Sequence, residues 1–137
     1  MNYGFLIKRI LARILDLTGL NSALLKKLNK KYQNNYIRIV NYHSVPSEAK
    51  EQFEKQINWF SNRFEVCDKT KLQLFLEGKY KFSQKPGVIF TFDDGFLDNY
   101  TVAFPVMKKC GATGMFMVSP DLIGKHDAGT QHMDYMT

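Results

Sequence analysis

Val88-Ile89-Phe90-Thr91-Phe92-Asp93-Asp94-Gly95 decides how this chain is to be read. The first five residues are apolar or β-forming, and the run stops at two adjacent carboxylates followed by a glycine. Such a stretch predicts a buried strand whose carboxyl end delivers two negative charges to one point. Asp-Gly after an apolar run also signals a two-residue hairpin turn. A hairpin needs a second strand at once, and Phe96-Leu97-Asp98-Asn99-Tyr100-Thr101 does not alternate in that way. The next residues read as a short helix, with Pro105 at its first position, Lys108 and Lys109 in its last turn and Gly111 just past its end. Ala112 to Val118 then supplies another apolar run of strand length. Strand, loop, helix, strand implies two parallel strands, and in such units chemistry gathers at the carboxyl ends, where Asp93 and Asp94 fall.

Outward from this unit, 137 residues with 45% hydrophobic content allow one domain with a real core and exclude a disordered chain. A typical α/β barrel takes roughly 200 residues or more, so this chain is short for one. The net charge of +6 is concentrated at the amino end. There Lys8, Arg9, Arg13, Lys26, Lys27, Lys30 and Lys31 face the single acid Asp16. The aromatic residues occupy core-like positions with no basic stripe interleaved, which argues against a nucleic-acid partner. Cys67 and Cys110 lie far apart without metal-type spacing and read as two free buried thiols, which suits the cytoplasm.

Residues 4–17 place Leu6, Ile7, Ile10, Leu11, Ile14 and Leu17 on one helical face, with Arg9, Arg13 and Asp16 opposite. The apolar runs are too short for a membrane span or a secretory signal. The arm is expected either to lie on an anionic membrane surface or to pack on its own domain or a partner. The expected location is thus the cytoplasm or the inner face of the membrane. Gly19 breaks the helix, Asn21-Ser22 offers a cap for a second one, and a polar linker over residues 30–35 divides a basic arm (1–35) from the domain (36–137).

Tyr36 to Tyr42 reads as the domain's first strand, with His43 at its carboxyl end. A histidine there is either a surface or hydrogen-bonded residue or a group lining the same site as Asp93 and Asp94. Ser47 is positioned to cap a helix carrying Phe53, Ile57, Phe60 and Phe64, with Trp59 also read as core. A short strand over residues 64–67, a helix over 71–77 stopped by Gly78, and a loop with Pro86 lead into the central strand. His126 and His132, six residues apart, lack the helical offset that would put both imidazoles on one metal.

Thr91-Phe92-Asp93-Asp94-Gly95, with Asp98-Asn99-Tyr100 and Ala103 to Gly111 behind it, resembles the first motif of the polysaccharide deacetylases, the NodB-homology or carbohydrate esterase family 4 group. The likeness continues through Ala112-Thr113-Gly114-Met115-Phe116. Asn41-Tyr42-His43-Ser44-Val45-Pro46 resembles the opening strand of one branch, which also carries residues like Phe53, Gln56, Trp59 and Phe64. This covers about residues 36–137, and implies an α/β fold, part of a (β/α) barrel of the deacetylase type. It implies a metal-dependent hydrolase that removes N-acetyl or O-acetyl groups from an acetylated polysaccharide or oligosaccharide, with Asp93 as general base and Asp94 as ligand to a divalent metal, zinc foremost. In that family two histidines of a later His-Ser/Thr-x-x-His motif complete the metal site. These residues contain no such motif, so the expectation is the amino-terminal part of a deacetylase domain, without turnover by itself. The alternative is a non-catalytic module that meets a membrane or a partner through the basic helix.

Overall fold

The computed structural model describes residues 17–120 together with Ile7 and Leu15. Of the helix expected over residues 4–17, Ile7, Leu15 and Leu17 are helical and the remainder lies outside the described residues, as do His126 and His132. Helix α1 runs Leu20–Tyr32. It starts after Gly19, whose φ of 70° is left-handed, so Asn21 and Ser22 stand inside the helix and not at its cap. The helix therefore takes in the first half of the expected linker, residues 30–32, and is capped at Gln33, also left-handed.

Strand β1, Ile37–Tyr42, leads to a short 3-10 turn, Ser47–Ala49, and helix α2, Lys50–Arg63. Ser47 does not cap α2, because its hydroxyl donates to Glu48 and the intervening turn separates it from the first α-helical residues. Strand β2 is only Glu65–Val66. Helix α3, Lys69–Leu76, begins two residues earlier than its periodicity indicates. Asp68 is the reason: its side chain accepts the Lys71 N–H at 2.8 Å and satisfies a donor the first turn would otherwise leave open.

Strand β3, Gly87–Phe92, is the centre of the sheet. It pairs in parallel with β1 along its whole length, from Ile37 opposite Gly87 to Tyr42 opposite Phe92. On its other edge β2 runs parallel beside its first two residues, and β4, Gly114–Phe116, beside its last three. Every strand pairing among the described residues is parallel, so no hairpin reverses at Asp94-Gly95. A parallel strand covered on both faces needs apolar residues throughout, and all of β3 except Thr91 is buried.

The two faces hold different cores. Val88, Phe90 and Phe92 join Phe53 and Ile57 of α2 with Val106 and Met107 of the following helix, while Ile89 turns the other way toward Cys67 and Phe82. Phe90 meets Phe60 edge-on at 5.8 Å, and Phe92 is stacked between Tyr42 at 5.4 Å and Phe116 at 4.5 Å. Burying each such ring contributes roughly 1.5 to 3 kcal/mol. Trp59 departs from the expected core placement. It is 43% exposed, with the Arg63 guanidinium 4.4 Å above its ring.

After β3 the chain turns into a continuous helical stretch that contains a π turn, Asn99–Ala103, before helix α4, Phe104–Lys109. Pro105 stands in the first turn of α4, as its sequence position predicts, but the helical path begins earlier. Proline has no N–H to donate and its ring crowds the carbonyl four residues back. The wider π turn, in which Phe104 N–H donates to Asn99 O, accommodates both conditions. Helix α4 ends in a double reverse bond across Gly111, whose φ is 64°: Gly111 N–H donates to Lys108 and Ala112 N–H to Met107.

Candidate functional site

The carboxyl ends of β1 and β3 lie side by side because their register is unbroken, and Asp93 N–H extends the ladder by donating to Tyr42 O at 2.9 Å. The next residue leaves the strand. Asp94 and Gly95 both have positive φ, 69° and 70°, a conformation that costs a non-glycine residue of order 1 kcal/mol or more. Gly95 cannot be replaced without conflict, since an added Cβ would also lie 3.2 Å from Val118. The strand tip thus holds Asp93 along the strand and swings Asp94 outward. Asp94 is exposed, and its carboxylate has no hydrogen bond or ion pair among the described residues.

Asp93 is gripped from β1. Asn41 Nδ2 donates to its Oδ2 at 2.8 Å, and Thr91 Oγ1 donates to Asn41 Oδ1 at 2.8 Å, so the Asn41 amide is fixed from both ends. His43 Nε2 lies 4.0 Å from the same Oδ2, with its ring 63% exposed. The sequence left His43 either at the surface or lining the site, and the structure brings it to the Asp93 carboxylate. Behind the pair, Asn99 is fully buried and its Nδ2 donates to the Asp93 carbonyl at 3.4 Å. Ser44 Oγ donates to Asp98 Oδ2. The other side-chain oxygens of Asp98 and Asn99 are buried without a partner. Under the site, therefore, sits a polar layer with acceptor capacity to spare.

Asn41, Asp98, Asn99 and Thr91 are the site residues that residue-by-residue reading missed as roles. A signal was present. Thr91 is the one polar residue of β3, and parallel register sets Asn41 of β1 opposite it.

A metal site would need more than this tip provides. Among the described residues no group of three or more His, Cys, Asp or Glu could hold a metal ion, whereas catalytic metals normally have three protein ligands. Asp94 is one unpaired donor; the described residues do not complete a set around it.

This chain, with Thr-Phe-Asp-Asp-Gly at the tip of the central strand of a parallel sheet, is similar in sequence to part of a proposed polysaccharide deacetylase and in fold to part of a de-N-acetylase. The relatives are specific. YxkH of Bacillus subtilis (strain 168), a proposed polysaccharide deacetylase, is 34% identical over 105 residues, which span 72% of this chain and 37% of YxkH. IcaB from Ammonifex degensii superposes with a TM-score of 0.62 at 26% identity, over 74% of this chain and 45% of IcaB. A de-N-acetylase from Aggregatibacter actinomycetemcomitans has the same fold, with a TM-score of 0.55 at 24% identity over 69% of this chain and 44% of that one. The chain thus spans less than half the length of each of these proteins. No protein-family profile matches it.

Proposed function

We propose that this chain supplies the aspartate-bearing part of a hydrolase that removes acetyl groups from an acetylated polysaccharide or oligosaccharide. The observation that carries the reading is the strand tip: Asp93 held by Asn41 and flanked by His43, with Asp94 turned outward beside it. In amide hydrolysis the oxygen of water bonds to the acetyl carbonyl carbon, the water gives up a proton, and the carbon–nitrogen bond breaks to leave acetate and an amine. Asp93 is suited to accept that proton. Asn41 fixes one of its oxygens, and Oδ1 accepts no hydrogen bond among the described residues. His43 reaches the same carboxylate and lines the approach to it.

We assign Asp94 as one ligand of a divalent metal, zinc foremost, which as a Lewis acid would polarise the acetyl carbonyl. The described residues offer no further donors for it, and the chain contains no His-Ser/Thr-x-x-His pair to supply them, so the 137-residue polypeptide by itself is expected not to turn over. The test is acetate release from an N-acetylated oligosaccharide with added zinc. It is run on the polypeptide alone, on the polypeptide joined to the portion of YxkH that its match does not cover, and on YxkH as reference. Release is expected from the joined protein and not from the polypeptide alone. Asp93→Asn should cut the joined protein's rate by about 100-fold or more, the usual contribution of a general base. A folded joined protein that is inactive while YxkH is active would overturn the reading, and release by the polypeptide alone would refute the need for further donors.

A second reading, contact with an anionic membrane, is favoured by α1. Leu20 and Leu24 stand one turn apart on this helix and are 57% and 56% exposed, and the same helix carries Lys26, Lys27, Lys30 and Lys31. No helix among the described residues is long and apolar enough to cross a membrane, so such contact would be peripheral.

A further inference from the structure

At the opposite end of the sheet from Asp93, α1 and the last turns of α2 enclose a cleft of about 810 Å³. Leu24, Trp59 and Phe60 form an apolar part of its lining, and Lys26, Arg38 and Arg63 bring three cations to it. No carboxylate lines the cleft among the described residues. Arg38 projects from the start of β1, half-buried, and has no acidic partner among the described residues. Arg63 is held in place by Trp59, stacking over its ring and donating to its carbonyl at 3.3 Å. Guanidinium groups set in this way match a phosphate well, and an unpaired half-buried one is stabilised by gaining an anion.

We propose that this cleft binds the phosphate headgroup of an anionic phospholipid and so fixes how the protein sits on a membrane. The proposal rests on the membrane reading of α1 and gives that contact a specific site. The lipid source is favoured over a free phosphate or a nucleic acid because Leu24 belongs both to the cleft and to the exposed Leu20 and Leu24 pair on α1. Apolar anchors and phosphate ligands therefore lie on one surface, which a phospholipid offers together and a soluble anion does not. Lying at the far end of the strands, this surface leaves the Asp93 tip turned away from the bilayer.

The test is cosedimentation of the 137-residue protein with phosphatidylcholine vesicles, with and without admixed phosphatidylglycerol. Binding is expected only with phosphatidylglycerol. Removing two cations near the surface, as in Arg38→Gln/Arg63→Gln, is expected to weaken it by about tenfold or more. The charge-matched control Lys50→Gln/Lys69→Gln, at two residues that do not line the cleft, should change it by less than about twofold. Arg63→Gln alone leaves β1 untouched, and with an unaltered circular dichroism spectrum it should still weaken binding severalfold. Absence of binding to either vesicle refutes the membrane reading as a whole. Equal losses in the arginine variant and its control refute the cleft alone. Displacement of the protein from vesicles by equimolar inorganic phosphate would show the cleft to be a free-anion site and overturn the lipid assignment.

Discussion

In the proposed chemistry Asn41 is a positioning residue. It is assigned no contact with substrate, yet it connects Thr91 to Asp93 by two bonds of 2.8 Å and sets which oxygen of that carboxylate is left to work. Hydrogen bonds to charged groups contribute roughly 1.5 to 3 kcal/mol, less where water reaches them as it does here. Asn41→Ala in the joined protein is therefore expected to lower kcat by about tenfold while changing KM by less than about twofold, because only the geometry of the proton acceptor is lost. A larger rise in KM than fall in kcat would assign Asn41 to substrate binding instead. The carboxylate pair at 93 and 94 was legible in the sequence from composition alone: an apolar run that stops at two acids. Asn41 was not, since its role depends on a register between strands that lie some fifty residues apart.

Elements here are fixed by polar ties as much as by apolar faces, and one tie makes stability depend on pH. Glu65 of β2 accepts hydrogen bonds from Lys71 of α3 and from Tyr80 beyond it. Burial pushes the Glu65 carboxyl up, but those two partners outweigh burial and hold it below the ordinary glutamate value of 4.5. A depressed carboxylate stabilises the fold above its ordinary value, and that contribution is lost as pH falls through the lower, folded-state value. Tyr80→Phe is expected to cost about 1 kcal/mol near neutral pH, a figure reduced for the partial exposure of the group, and to cost progressively less in acid. Urea melts of the two proteins at neutral pH and near pH 3, an acid limit of roughly one unit below free glutamate, check this; a difference independent of pH would contradict it. Elements were legible where one strong signal decides them, as for β3 and for the Gly111 helix stop. They were misplaced where a capping residue outvoted periodicity, as Asp68 does for α3, or where the breaker of one helix also begins the next, as Gly19 does ahead of Asn21. The π turn ahead of Pro105 left no mark in the hydrophobic pattern.

At the scale of the molecule, one parallel sheet separates two chemically different ends. The carboxyl ends of the strands carry Asp93, Asp94, Asp98 and His43; the amino end carries the cleft with Lys26, Arg38 and Arg63. The sequence showed that positive charge is concentrated near the amino terminus. It did not show that Arg38 and Arg63, distant in the chain, meet α1 across a cleft with Trp59 at its side, because that depends on where β1 begins and where α2 stops. Trp59 illustrates the limit. Grouped with the aromatics of α2 it reads as core, and in the structure it is 43% exposed beneath the Arg63 guanidinium.

The central claim is that the tip of β3 presents Asp93 and Asp94 together as one half of a metal-assisted hydrolytic site. Iron-directed cleavage reads this without any turnover: ferrous ion and ascorbate are added in air to the protein joined to the remaining portion of YxkH, and backbone scission near the bound cation is located by mass spectrometry. Cuts are expected to cluster at residues 93–95 and at the facing residues 41–44, and to be abolished in Asp94→Asn. Cuts confined to other carboxylates, or an unchanged pattern in that variant, would contradict the claim.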